Sequence, residues 1–208
     1  MLSVSQLTLN GETALTGVDR LPLIGWKMQS TQRNVLQRSW HLQCSTRTDF
    51  STLVFDSGVV NSETSNNIEL NEFTLRPSTR YFLRVRITAN DGDRSEWSPM
   101  AQFVTGLLDF PWKGAFISAE TPQDKANSKA TLLRKVFSVT AEKKVASAYV
   151  HATALGIYQL FLNGQRVGTD ELTPGWTSYR YHLLYQTYDI TGLLNSGENV
   201  VGAELGAG

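Results

Sequence analysis

Hydrolytic acid–base chemistry needs two carboxylates facing one bond, and a binding platform needs aromatic rings presented together. The acidic residues available for the first role are Asp109, Glu120, Asp124, Asp170, Glu171, Asp189 and Glu204. Asp170 and Glu171 are adjacent, so on a strand they point to opposite faces and cannot flank one bond. On a loop they could converge, and a solvated turn accounts for them equally well. The expectation is that this chain holds no catalytic residues. For the second role, Trp176, Tyr179 and Tyr181 follow the Pro174-Gly175 turn. Aromatic faces suit the apolar C–H side of a sugar ring, which makes these three the carbohydrate-binding candidates. The same rings would serve equally to plug a sandwich core or a domain interface.

Other chemistries lack their residues. His41, His151 and His182 stand singly in strand patterns, whereas metal sites draw clustered ligands, so no metal site is expected. The single cysteine, Cys44, excludes an intrachain disulfide and a multi-cysteine zinc site. There is no G-x-S-x-G elbow, phosphate loop or dinucleotide fingerprint, and therefore no expected cofactor.

Composition narrows the partners. Lys plus Arg equals Asp plus Glu at 19 each over 208 residues, so no global field points to nucleic acid or an anionic membrane. With 41% hydrophobic and 18% charged residues the chain is too apolar for disorder. No window approaches a membrane span, and MLSVSQLTLNGE has neither a basic n-region nor a long apolar run. A cytoplasmic location is the default expectation.

The elements that must position these residues read as β throughout. In residues 1–106, strand signals recur about every ten residues with turn residues between them, the pattern of a β-sandwich. Leu7 and Leu9 alternate before Asn10-Gly11, a hairpin candidate. Leu36, Arg38, Trp40, Leu42 and Cys44 share one face of a strand, with Gln37, Ser39, His41 and Gln43 on a polar outer face. Leu75-Arg76-Pro77-Ser78-Thr79-Arg80-Tyr81 has the spacing of a fibronectin type III-like corner, whose tyrosine hydroxyl bonds back to upstream backbone. Trp97-Ser98 resembles the tryptophan-serine feature of that fold.

GLLDFPWKG places the domain boundary near residue 107. In residues 107–208, SAYVHATALGIYQLFLNG reads as one long strand entering an Asn163-Gly164 type I′ turn. Leu155, Ile157, Gln159 and Phe161 point one way and Tyr158, Leu160 and Leu162 the other, which predicts a strand covered on both sides. RYHLLYQTYDI reads as a further strand, Asp189 to Leu194 as a short helical turn, and ENVVGAELG as a last strand. The content fits a jelly-roll-like sandwich. The fold expectation is thus all-β, with two tandem antiparallel sandwiches.

The run LNGQRVGTDELTPGWTSYRYHLLYQTYDITGLL resembles the N-terminal β-sandwich domain of bacterial α-L-rhamnosidases, glycoside hydrolase family 78. VFDSGVVNSETS, TRYFLRVRITANDGDRSEWS and AQFVTGLL resemble the sandwich that precedes it. The resemblance implies that rhamnoside hydrolysis, by inversion, belongs to paired acids in an (α/α)6 barrel beyond these residues. An inverting pair stands about 6.5–9.5 Å apart. It implies a non-catalytic N-terminal portion that supports that barrel, its partner, and that contacts rhamnoside or glycan at most. It also implies a second domain cut short at its C-terminal end, leaving an edge strand through which a homodimer could form. A free-standing carbohydrate-binding module is the alternative.

Overall fold

The computed structural model describes residues 1–70, 73–119, 129–140, 142 and 144–206. The chain divides into two compact units, Met1–Phe110 and Pro111–Gly208.

In the first unit, β1 (Leu2–Leu9) pairs antiparallel with β3 (Ile24–Ser30) to form one layer. The other layer carries β2 (Ala14–Val18), β4 (Gln37–Ser45), β5 (Leu53–Asp56), β6 (Val60–Asn61), β7 (Arg80–Ala89) and β8 (Ala101–Thr105). Its order is β2-β8-β7-β4-β5, with β6 also on β4. All pairings there are antiparallel except β2 with β8. Asn10 and Gly11 do take positive φ, 50° and 92°, and Leu9 and Glu12 close the turn. The turn does not join a paired hairpin, however. It carries the chain from one layer to the other, so β1 and β2 lie in different sheets.

Strict alternation on β7 explains the core. Tyr81, Leu83, Val85, Ile87 and Ala89 are buried against Leu7, Leu9, Trp26, Trp40, Leu42 and Phe103. The Trp26 and Trp40 rings meet edge to face at 5.6 Å, and Tyr81 stacks on Phe103 at 5.0 Å. The Tyr81 hydroxyl accepts a bond from the Arg76 N–H at 2.9 Å, as the corner motif predicts. Tyr81→Phe removes that acceptor and is expected to lower the stability of this unit by about 1–2 kcal/mol in chemical denaturation. Tyr81→Leu, which also loses the stacking, should cost more. Cys44 is fully buried, and burial pushes its thiol up to about 12.

One expectation for β4 fails. Its polar side is not a solvated outer face, because Gln37, Ser39, Gln43 and Ser45 are as buried as Trp40 and Leu42. Gln37 accepts from the Trp26 indole and donates to the Ser62 and Thr64 carbonyls. Gln43 accepts from Arg84 and donates to the Asp56 carboxylate, and Ser45 donates to the Thr52 carbonyl.

The second unit contains β9 (Thr131–Val139), β10 (Tyr149–Ala152), β11 (Ile157–Leu162), β12 (Gln165–Arg166), β13 (Gln186–Asp189) and β14 (Gly197–Gly206). β12-β11-β14-β9 form one antiparallel sheet and β10-β13 another. The Asn163-Gly164 turn is present with φ of 53° and 80°, joining β11 to β12. The 3-10 turn Thr191–Leu193 falls inside the expected helical segment.

Three readings of this half need correction. The long strand through residues 147–164 is broken at Thr153–Gly156, where Gly156 takes φ 122°, and its two halves serve different sheets. Residues 180–185 are not strand, because the Tyr181 and His182 N–H groups turn back to the Ser178 carbonyl. Finally, the two sides of β11 are covered unequally. Tyr158 and Leu162 are buried, while Ile157 on the opposite face is exposed. On the more buried side the Tyr158 hydroxyl donates to the Ala152 carbonyl and to Gln186 Oε1 of the β10-β13 sheet.

Candidate functional site

Residues 172–184 fold back on themselves into a lobe beside the start of β11. Tyr158 and Thr173 bridge it to the sheet: the Tyr158 N–H donates to the Thr173 carbonyl at 2.8 Å, and the Thr173 hydroxyl returns to the Tyr158 carbonyl at 2.7 Å. The Gln186 amide holds the Pro174 carbonyl at 3.0 Å, and the Thr153 hydroxyl holds that of Leu184 at 2.6 Å. Within the lobe the Thr177 hydroxyl donates to the His182 carbonyl at 2.9 Å.

This arrangement separates the three aromatic candidates. Trp176 and Tyr181 stand 87% and 86% exposed, so neither plugs a core within the chain. Tyr179 is different: its hydroxyl accepts from the Gly156 N–H at 3.1 Å, fastening the lobe to the break between β10 and β11. Leu172 and Leu184, exposed on the same lobe, carried no sequence signal because a lone leucine in a polar loop has no periodicity to interpret.

No two of the acidic candidates Glu171, Asp189 and Glu204 share a partner among the described residues. Glu171 is paired with the Arg166 guanidinium at 2.8 Å, which holds its carboxyl below the usual range. Arg166 also bonds the Asp170 carbonyl. Asp170 lies beside Tyr188, whose hydroxyl is pushed well up by burial and by its neighbours Tyr158 and Asp170. Asp189 accepts from the N–H and hydroxyl of Thr191 at 2.9 and 2.6 Å, a local turn cap. Glu204 is exposed on β14, opposite Leu132 and Gln159. Glu120 and Asp124 lie outside the described residues. Among the described residues, no group of three His, Cys, Asp or Glu could hold a metal ion.

In the first unit the residue types of a catalytic dyad do meet, but the bonding forbids the role. His41 Nε2 lies 2.6 Å from Asp56 Oδ1, while its Nδ1 lies 3.1 Å from Arg86 Nη2. Arginine only donates, so Nδ1 accepts and Nε2 carries the proton to Asp56. Both nitrogens are spent, leaving no lone pair for a metal or for base catalysis. Arg84 and Arg86 flank the Trp97 ring at 4.3 and 4.4 Å, and Arg84 also covers Phe50 at 4.1 Å. Ser95 and Ser98 accept the N–H groups of Ile87 and Val85, which locks the tryptophan segment along β7. The alternation of Arg84 and Arg86 opposite Gln43 and His41 was the available signal for this stack.

The layer has a pH consequence. Burial raises the Asp56 carboxyl, but the Gly58 N–H, the Gln43 amide and His41 together outweigh it, and the net shift is downward. A depressed carboxyl contributes stability above its unfolded value, near 3.9, that is lost as pH falls through the folded value. The first unit should therefore weaken below about pH 4, and Asp56→Asn should flatten that limb. The side chain is 40% exposed, so the effect is a fraction of a kcal/mol, read as a change in slope of midpoint against pH.

Comparison with known proteins places both units. Residues 4–109 match the family described as Rha78A-like, N-terminal immunoglobulin domain. The chain belongs to this family. Residues 143–208 match the α-L-rhamnosidase N-terminal domain. An α-L-rhamnosidase of Formosa agariphila is 29% identical over 201 residues, covering 91% of this chain and 22% of that protein. One of Streptomyces avermitilis is 48% identical over 118 residues, covering 57% of this chain and 10% of its own length. The solved α-L-rhamnosidase of Dictyoglumus thermophilum superposes with a TM-score of 0.85 at 29% identity, covering 99% of this chain and 25% of that one. The chain thus spans about a fifth of the length of the first-ranked curated relatives. An immunoglobulin description and a fibronectin type III-like reading agree in architecture, since both are antiparallel sandwiches that can carry a tyrosine corner. No described helix of this member of the Rha78A-like N-terminal immunoglobulin domain family is long and apolar enough to cross a membrane.

Proposed function

We propose that these 208 residues are a non-catalytic, two-sandwich N-terminal portion of an α-L-rhamnosidase, acting as an architectural support for a catalytic barrel that hydrolyses terminal α-L-rhamnosides. The domain assignment in this reading is residues 1–106 for the fibronectin type III-like sandwich and 107–208 for the jelly-roll-like one.

The observation that carries it is the unequal coverage of the second unit. β9 and β14 run nine and ten residues, whereas β10 and β13 run four each. At equal rise per residue and equal strand spacing, the smaller sheet can face only about three tenths of the larger one. Leu133, Phe137, Leu160, Val201 and Leu205 on the facing side are accordingly only half-buried, while Leu83, Val85 and Ile87 in the first unit are fully buried. A sheet apolar on both faces and only partly covered belongs in a larger assembly. A chromogenic rhamnoside assay tests the non-catalytic part: turnover by these residues alone overturns it. Calorimetry tests the support role, which requires the second unit to unfold well below the first and to gain stability when joined to a barrel.

The second reading is a carbohydrate-binding module, favoured by the exposure of Trp176 and Tyr181 on an anchored lobe with Tyr179 at its base. Saturable quenching of tryptophan fluorescence by rhamnose, lost in Trp176→Phe, is its signature. A cytoplasmic location forms part of the proposal and is checked by cell fractionation. A homodimer through the exposed β9 edge is the remaining partnership. Arg134 and Lys135 at the centre of that strand oppose it, setting cation against cation in any centred antiparallel pairing.

A further inference from the structure

We propose that Asn10 is a site of spontaneous covalent modification, its side-chain amide converting to aspartate and isoaspartate, and that the fold protects the same dipeptide elsewhere. The chain has two Asn-Gly pairs, Asn10-Gly11 and Asn163-Gly164. In such a pair the backbone nitrogen of the glycine can attack the asparagine side chain, because no Cβ shields it. Two local properties do not distinguish the pairs. Both asparagines take left-handed φ, 50° and 53°, and nothing stands within 4 Å of a Cβ added to Gly11 or Gly164. The hydrogen bonds do distinguish them. Asn10 is exposed, its Oδ1 accepts from the Leu23 N–H at 2.9 Å, and its Nδ2 has no acceptor among the described residues. The Asn163 side chain is clamped. Its Nδ2 donates to the Leu193 carbonyl and to Asn199 Oδ1, both at 2.8 Å, and its Oδ1 accepts from the Val200 N–H at 2.9 Å.

Water is the only co-reactant. The Gly11 nitrogen, deprotonated by hydroxide, attacks Asn10 Cγ and closes a succinimide ring. The Cγ–Nδ2 bond breaks, and ammonia leaves with a proton taken from solvent. Water then opens the ring. Cleavage between the Gly11 nitrogen and Cγ leaves an aspartate. Cleavage between that nitrogen and the Asn10 main-chain carbonyl leaves an isoaspartate, with the chain running on through Cγ. The amide must turn freely before attack, so one bond yields at Asn10 and three at Asn163, each shifting the reactive population several-fold. The product matters because of where Asn10 sits. Its N–H donates to the Leu23 carbonyl at 2.8 Å, and Leu9 and Glu12 bond each other across the turn at 2.6 and 3.0 Å. Aspartate keeps the acceptor for the Leu23 N–H. Isoaspartate lengthens the backbone where the chain passes from the β1 layer to the β2 layer, and so loosens that crossing.

The modification is independent of the architectural role, and turnover of rhamnoside, present or absent, has no bearing on it. The test is incubation of the folded 208-residue chain at mildly alkaline pH, followed by trypsin digestion and mass spectrometry. Residues 1–20 carry Asn10 and residues 145–166 carry Asn163, so each pair is read in its own peptide. The expected result is an exchange of acid for amide at least about tenfold faster in the first peptide than in the second. The rate should climb with pH, because the attacking nitrogen must lose its proton. An isoaspartate methyltransferase should label the first peptide, and Asn10→Ser should abolish both signals. In urea the two rates should converge, since unfolding removes the bonds that hold Asn163. Equal rates in the folded chain overturn the proposal, as does faster conversion at Asn163. So does an Asn10 peptide that stays intact in the folded chain while the urea-unfolded chain converts, or a mass gain that persists in Asn10→Ser.

Discussion

Gly168→Ala is expected to abolish or severely lower the unfolding transition of the second unit while leaving that of the first unchanged. Gly168 takes φ +75°, where a side chain is strained, and a Cβ there would run into the ring of Tyr188, 2.7 Å from Cδ1 and nearer still to Cε1. The ring has little room to retreat, because Tyr188 lies on β13 with its hydroxyl among Tyr158 and Asp170. Left-handed strain and overpacking each cost about 1–3 kcal/mol. The unit has little in reserve: its buried apolar residues are Ala154, Tyr158, Leu162 and Val167 among those described. Gly192→Ala is the control, since nothing stands within 4 Å of its added Cβ. Calorimetry of the two variants decides the matter, and an unshifted transition in Gly168→Ala would sink the packing account.

Asn199→Ala should rank close behind. Asn199 is fully buried on β14, with its amide donating to the Asn195 and Gly197 carbonyls at 2.8 and 3.0 Å. Its carbonyl oxygen accepts from the Asn195 N–H and the Asn163 amide, both at 2.8 Å. Truncation strands several buried groups at about 1–3 kcal/mol each, partly relieved by water, so a loss of roughly 3 kcal/mol is expected. Asn163→Gly keeps the left-handed turn but gives up the side-chain bonds to Leu193, Asn199 and the Val200 N–H. It should cost less than Asn199→Ala. Urea denaturation of the two variants gives the order, and the reverse order would refute the network.

The Asn163 case shows how far the sequence could be read. That Asn-Gly makes a type I′ turn follows from the φ its residues tolerate, and the turn is where expected. That the Asn163 side chain also fastens β14 depends on Asn199, 36 positions away, and no local pattern announces such a pairing. The same division runs through the candidate site. Trp176, Tyr179 and Tyr181 were legible as aromatics after a turn, and they do share one lobe. Their different fates, two rings in solvent and one hydroxyl bonded to Gly156, follow from a fold-back that replaced the first part, residues 180–185, of the strand predicted over residues 180–190.

The amino-acid order alone determined the all-β class, the alternation that buries one side of β7, the tyrosine corner and the Asn163-Gly164 turn. Each of these is a local matter of backbone dihedrals or a period of two, contained within a few consecutive residues. Only the tertiary structure decided that β10 and β11 part into different sheets, that the polar side chains of β4 are buried on hydrogen-bond partners from distant segments, and that the large sheet of the second unit is only partly covered. Those outcomes depend on which distant surface arrives to cover a face, and apolar residues on both sides of a strand record the need for cover without recording whether it is met.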